Sequence, residues 1–125
     1  MLSGVCIGTN DLLAAGEFYD AVLATIGMDC VLSEPHERGY ASADGKITLF
    51  VVLPYDKQAA TFGNGTQVMF YAQDAGAVRD FYSAAIQYGG SDEGLPGPRE
   101  YHPDYYGAYV RDLDGNKLNV SVCLD

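Results

Sequence analysis

The chain repeats itself. Laid on itself at an offset of 63 residues, it pairs Val5 with Val68, Asp11 with Asp74, Ala14 with Ala77, Phe18 with Phe81, Tyr19 with Tyr82, Ala21 with Ala84, Gly27 with Gly90 and Asp29 with Asp92, with no gap. A repeat this long within 125 residues means two copies of one supersecondary unit, each too small to bury its apolar face alone. Further on, Asp44-Gly45-Lys46-Ile47 resembles Asp114-Gly115-Asn116-Lys117-Leu118, at an offset that grows to 70 and then 71. The second copy therefore carries an insertion, placed around Pro96 to Tyr106.

Each copy reads as strand, helix and three more strands. Residues 5–9 and 67–72 are short apolar runs, hence strands. Asp11 and Asp74 are placed to cap the helices that follow, because a carboxylate accepts the free N–H groups of a first turn. Ala15, Phe18, Tyr19, Val22 and Ile26 form one buried helical stripe, and Val78, Phe81, Tyr82 and Ala85 form the other. Gly27 and Gly89-Gly90 end the helices. Strands are expected near 29–34, 38–42 and 47–53, then 91–94, 106–111 and 117–123. Asp44-Gly45 and Asp114-Gly115 are hairpin turns, and Gly94 to Pro98 reads as a turn-rich loop. The expected fold class is α+β, with units 1–53 and 66–125 joined by a linker at 54–65 in one domain over 1–125.

Composition narrows the partners. Seven Lys and Arg stand against seventeen acids, a formal charge of −10, which argues against nucleic acid and could attract a cationic ligand. No apolar run approaches the roughly 20 residues of a membrane span. The first residues read as a strand, not a signal peptide. Cys6, Cys30 and Cys123 include no CxxC pair, which fits a reducing cytoplasm.

Alternation along the strands separates two faces. Val5, Ile7, Leu49, Val51, Val68, Phe70, Leu118, Val120 and Val122 form a uniformly apolar face, expected against the helices. The opposite face carries Gly4, Cys6, Gly8, Thr48, Phe50, Val52, Gln67, Met69, Tyr71, Asn119, Ser121 and Cys123. A plain solvent face would favour charged groups, whereas uncharged polar groups among apolar ones suit a ligand cavity. A wet sheet face and a dimer interface are the alternatives.

The opening strand followed by Asp11, the run Phe18-Tyr19-Asp20-Ala21-Val22-Leu23 with Gly27, and the closing Tyr109-Val110-Arg111-Asp112-Leu113-Asp114-Gly115-Asn116-Lys117-Leu118 resemble the vicinal oxygen chelate superfamily, also called the glyoxalase/bleomycin resistance/dioxygenase family. Tyr101-His102-Pro103-Asp104-Tyr105-Tyr106 is similar to a segment of one bacterial subgroup. The resemblance implies two βαβββ units forming an open, cupped, eight-stranded barrel-like sheet around a pocket, with the helices outside. It implies a homodimer. In metal-dependent members four His or Glu ligands lie on the first and last strands of the units. Those positions match Gly4, Thr48, Gln67 and Asn119 here, none of which is a good ligand for zinc, iron or nickel.

The resemblance and the residues together give an expected function: a cytoplasmic protein that binds a small organic molecule, without a metal cofactor. Gln67, Asn119, Thr48, Phe50, Met69, Tyr71, Tyr106 and Ser121 are the expected ligand-binding residues. His102, in the inserted loop, is the candidate general base if chemistry occurs without metal. The alternatives are a lyase, isomerase or ring-cleaving dioxygenase with a metal held by other groups, such as His102, Glu100 or Asp104, and a domain whose pocket is vestigial. His36, between Pro35 and Glu37, reads as a turn residue. Cys6 and Cys123 read as small fillers of the cavity face.

Overall fold

The computed structural model describes residues 1–122. The first unit is β1 (Val5–Gly8), α1 (Leu12–Ala24), β2 (Asp29–Glu34), β3 (Glu37–Ala41) and β4 (Ile47–Val52). The second is β5 (Gln67–Tyr71), α2 (Ala75–Gln87), β6 (Ser91–Pro98), β7 (Tyr106–Arg111) and β8 (Lys117–Val122). Each unit forms a four-stranded sheet, ordered β1-β4-β3-β2 and β5-β8-β7-β6. The first and last strands of each unit run parallel and the other pairs antiparallel. This is the tandem βαβββ fold the repeat predicts, with its sheets open.

The local signals act as expected. Asp11 accepts from the Ala14 N–H at 3.0 Å and Asp74 from the Ala77 N–H at 2.8 Å, so each first turn loses one unpaired donor. Gly27 and Gly89 follow the helices at φ +78° and +100°, a left-handed conformation that costs glycine little. The apolar stripes of both helices and the apolar strand face enter one core, with Phe18, Val22, Leu23, Val78, Phe81, Leu118 and Val120 fully buried. Neither 13-residue helix is long and apolar enough to cross a membrane.

Polar contacts also join the halves. The Tyr19 hydroxyl of α1 donates to the Asp112 carboxylate after β7. Asn116 Nδ2 donates to the Gly8 carbonyl at 3.0 Å, and the Asn10 N–H to Asp114 at 2.9 Å. The Asp114-Gly115 turn is thereby fixed against the end of β1.

Strand β6 differs from expectation. It continues to Pro98, where a loop from Gly94 was predicted, and the inserted segment is the connection at 99–105. Gly97 and Pro98 pair with Gly107 and Tyr106 after two register shifts. β6 is an edge strand, so proline's missing N–H removes no bond from a second neighbour.

Candidate functional site

The candidate site is a cavity of about 630 Å³ on the open face of the second sheet, lined by Gln67, Met69, Phe70, Tyr71, Tyr101, Tyr105, Tyr109, Asn119 and Ser121. Strand alternation places most of these. Core residues Phe70, Ala108, Val110, Leu118 and Val120 point to the helices, so Met69, Tyr71, Tyr109, Asn119 and Ser121 point away. The inserted connection adds Tyr101 and Tyr105.

Three tyrosines and one amide organise the wall. Asn119, on β8, is 4% exposed. Its Nδ2 donates to the Tyr105 hydroxyl at 3.0 Å and to the Ala108 carbonyl at 3.2 Å. The Tyr109 hydroxyl donates to that of Tyr101 at 3.1 Å. The rings of Tyr101 and Tyr105 meet edge to face, with centroids 5.0 Å apart. Tyr105 folds back over β7 because residue 107 is glycine. A Cβ there would stand 2.5 Å from the Tyr105 hydroxyl oxygen. Burial first, and then the neighbouring phenols of Tyr101 and Tyr105, push the Tyr109 phenol well above its ordinary value of 10.0, so it keeps its proton through pH 10.

Of the expected ligand-binding residues, Gln67, Met69, Tyr71, Asn119 and Ser121 come together here. Thr48 and Gly4 line an adjoining hollow of about 270 Å³ between the units, which meets the first along Met69, Phe70 and Tyr71. Phe50 is half-buried on β4, in the other sheet. Tyr106 lies on the opposite face of its strand: it shares the side of Ala108 and Val110, packs on the core and accepts from Arg79 of α2 at 3.4 Å. Its place belongs to Tyr109, as counting by twos from Val110 would have shown. His102 stands in the exposed connection outside the lining. Its Nδ1 accepts from the Asp104 N–H at 3.1 Å, with the Asp104 carboxylate 4.0 Å away. His36 is exposed in the β2–β3 turn. Cys6 is exposed on β1, its thiol raised by partial burial and then by Glu37, and Cys123 lies outside the described residues.

The positions that the resemblance matches to metal ligands do not form a ligand set. Gly4 and Thr48 line one hollow, and Gln67 and Asn119 another. A side chain at residue 4 would meet the Thr48 carbonyl oxygen at 2.9 Å. Among the described residues no three His, Cys, Asp or Glu side chains are grouped to hold an ion. The residues present do not fit the usual metal.

No protein-family model and no curated protein matches the chain. Solved structures do. A glyoxalase-related enzyme from Fulvimarina pelagi is 18% identical, with a TM-score of 0.78 over 98% of this chain and 88% of its own. A glyoxalase/bleomycin resistance protein/dioxygenase family enzyme from Burkholderia phytofirmans PsJN is 22% identical, with a TM-score of 0.73 over 98% of each chain. These two share the fold. A glyoxalase/bleomycin resistance protein from Albidiferax ferrireducens T118 is 36% identical over 99% of both chains, with a TM-score of 0.89. Identity at that level over the full repeat joins sequence to fold, and the chain belongs to the glyoxalase/bleomycin resistance protein/dioxygenase family.

Proposed function

We propose that this protein binds a small organic molecule in the tyrosine-lined cavity of its second sheet, without a catalytic metal. The observation that carries this reading is the lining itself: aromatic and apolar walls with a few placed hydrogen-bonding groups, Gln67, Asn119, Ser121 and the phenols. That is the composition of a ligand pocket, in the usual size range of about 300–1,000 Å³. The tyrosine rings suit a flat or aromatic ligand. Among the described residues no carboxylate, imidazole or thiol lines the cavity, which favours binding over acid–base chemistry.

A homodimer and a cytoplasmic location belong to the same reading. Met69 and Tyr71 are 69% and 81% exposed, so the β5 side of the wall is open in a single chain. A second copy would cover it. Light scattering tests the pairing, and a monomer at all concentrations would remove it.

The test of binding is a thermal-shift panel of small aromatic and aliphatic compounds. A ligand at a hundred times its Kd stabilises by about 2.7 kcal/mol, a rise of several degrees in Tm. A panel that leaves Tm unmoved for every compound would overturn the reading.

A further inference from the structure

Despite the charge of −10, the mouth of the cavity is basic. A second hollow of about 370 Å³ continues from the first, sharing Gln67, Tyr101 and Tyr109 and adding Glu93, Gly94, Arg99 and Lys117. Glu93 is already engaged: Arg111 Nε donates to its carboxylate at 2.8 Å. No Asp or Glu oxygen among the described residues lies within 4.0 Å of Arg99 or Lys117. Both cations flank one ring, with Lys117 Nζ at 5.3 Å and Arg99 Cζ at 5.8 Å from the Tyr109 centroid.

The Arg99 guanidinium is held in place before any ligand arrives. Its Nη2 donates to the Leu95 carbonyl at 2.7 Å and its Nη1 to the Pro98 carbonyl at 3.0 Å. It lies over glycines of β6, where a Cβ at Gly94 would meet Nη2 at 3.1 Å and one at Gly97 would meet Nη1 at 3.4 Å. A guanidinium has five N–H groups, and two are used. Lys117 stands beside Gln67 on the cavity face of β8.

From these contacts we infer that the ligand carries an oxyanion, a carboxylate or phosphate, bound between Arg99 and Lys117, with its apolar body among the three tyrosines. This rests on the cavity being a binding site. Net charge acts at long range and is screened beyond about 8 Å at physiological salt, so the cations at the mouth decide which sign is held there. A fixed guanidinium loses little freedom on pairing, and charge-assisted bonds to an oxyanion are the strong ones.

The test compares phenylacetate, phenylacetamide, 2-phenylethylamine and phenyl phosphate by calorimetry, with the naphthyl analogues as larger bodies. Phenylacetate or phenyl phosphate should bind about tenfold tighter than the neutral amide, and the amine weakest. The better of the two anions identifies the group. Lys117→Gln, which breaks no hydrogen bond to the backbone, should flatten the preference, as should Arg99→Gln. If the amide or amine binds as well as both anions, or if Lys117→Gln keeps the preference, the inference falls and the cavity reading stands. If no compound in either series binds, both fall.

Discussion

The Tyr19 hydroxyl of the first unit donates to the buried Asp112 carboxylate of the second. Asp112 also accepts from the backbone N–H groups of Asp114 and Asn116, both at 2.9 Å, and from Asn116 Nδ2 at 2.9 Å. Asn116 Nδ2 reaches on to Gly8. One carboxylate thus shapes the Asp114-Gly115 turn and holds it to the other repeat. Tyr19→Phe removes one donor from a buried charge and should cost about 2 kcal/mol. Urea unfolding should show this as a lower midpoint with an unchanged slope.

The same pair sets an alkaline limit. Burial first, then the Asp112 charge and hydrogen bond, hold the Tyr19 phenol well above its ordinary value of 10.0, so the folded state favours the neutral form. Burial and the bond to Asp20 raise Tyr40 likewise. A raised folded pKa gives stability that is fully present below pH 10 and is lost as pH climbs from there toward the folded values. Melting temperatures should fall above pH 10 in the wild type, and less steeply in Tyr19→Phe. Equal slopes would sever the link to Tyr19.

Gly107→Ala tests how the cavity wall is built. The added Cβ would occupy the place of the Tyr105 hydroxyl end, so the ring must swing away from Asn119. Ligand affinity should drop about tenfold, while stability changes by about 1 kcal/mol or less, since the displaced group is the far end of a partly exposed side chain. Calorimetry and thermal melts on the same sample separate the two effects.

Asn119→Ala should act on both. It leaves Tyr105 without its donor and opens space beneath the rings. We expect a loss of about 1–2 kcal/mol in stability and a larger loss of binding. Asn119→Asp would place a carboxylate between the Tyr105 oxygen and the Ala108 carbonyl, and should reduce binding of an anion most.

Metal removal is expected to change nothing. With Gly4, Thr48, Gln67 and Asn119 at the positions the resemblance matches to metal ligands, dialysis against a chelator should leave Tm and ligand affinity as they were. One tightly bound transition metal per chain, found by elemental analysis, would restore the enzyme reading.

Much of this was legible in the sequence because it is local. Asp11, Asp74, Gly27 and Gly89 act within one turn of themselves, and strand alternation is a period that needs no partner. The repeat carried those signals across both halves, and its offset supports the positions that the resemblance matches to metal ligands. Tyr109 was legible in principle, since Val110 on the same strand marks the core face. The same count puts Tyr106 on the core face, with Ala108 and Val110.

The sequence by itself determined the tandem βαβββ fold, its caps and turns, its core, and the absence of the usual ligands from the matched positions. Only the tertiary structure decided that the cavity belongs to the second sheet, that Thr48 and Gln67 face different hollows, and that Arg99 and Lys117 converge on Tyr109. The physical reason is range. Caps and alternation are set by neighbours along the chain, whereas a pocket is set by how a connection folds back over a sheet. At 99–105 that path seats Arg99 over Gly94 and Gly97, and Tyr105 over Gly107 within reach of Asn119 on another strand, contacts that no period along the chain reveals.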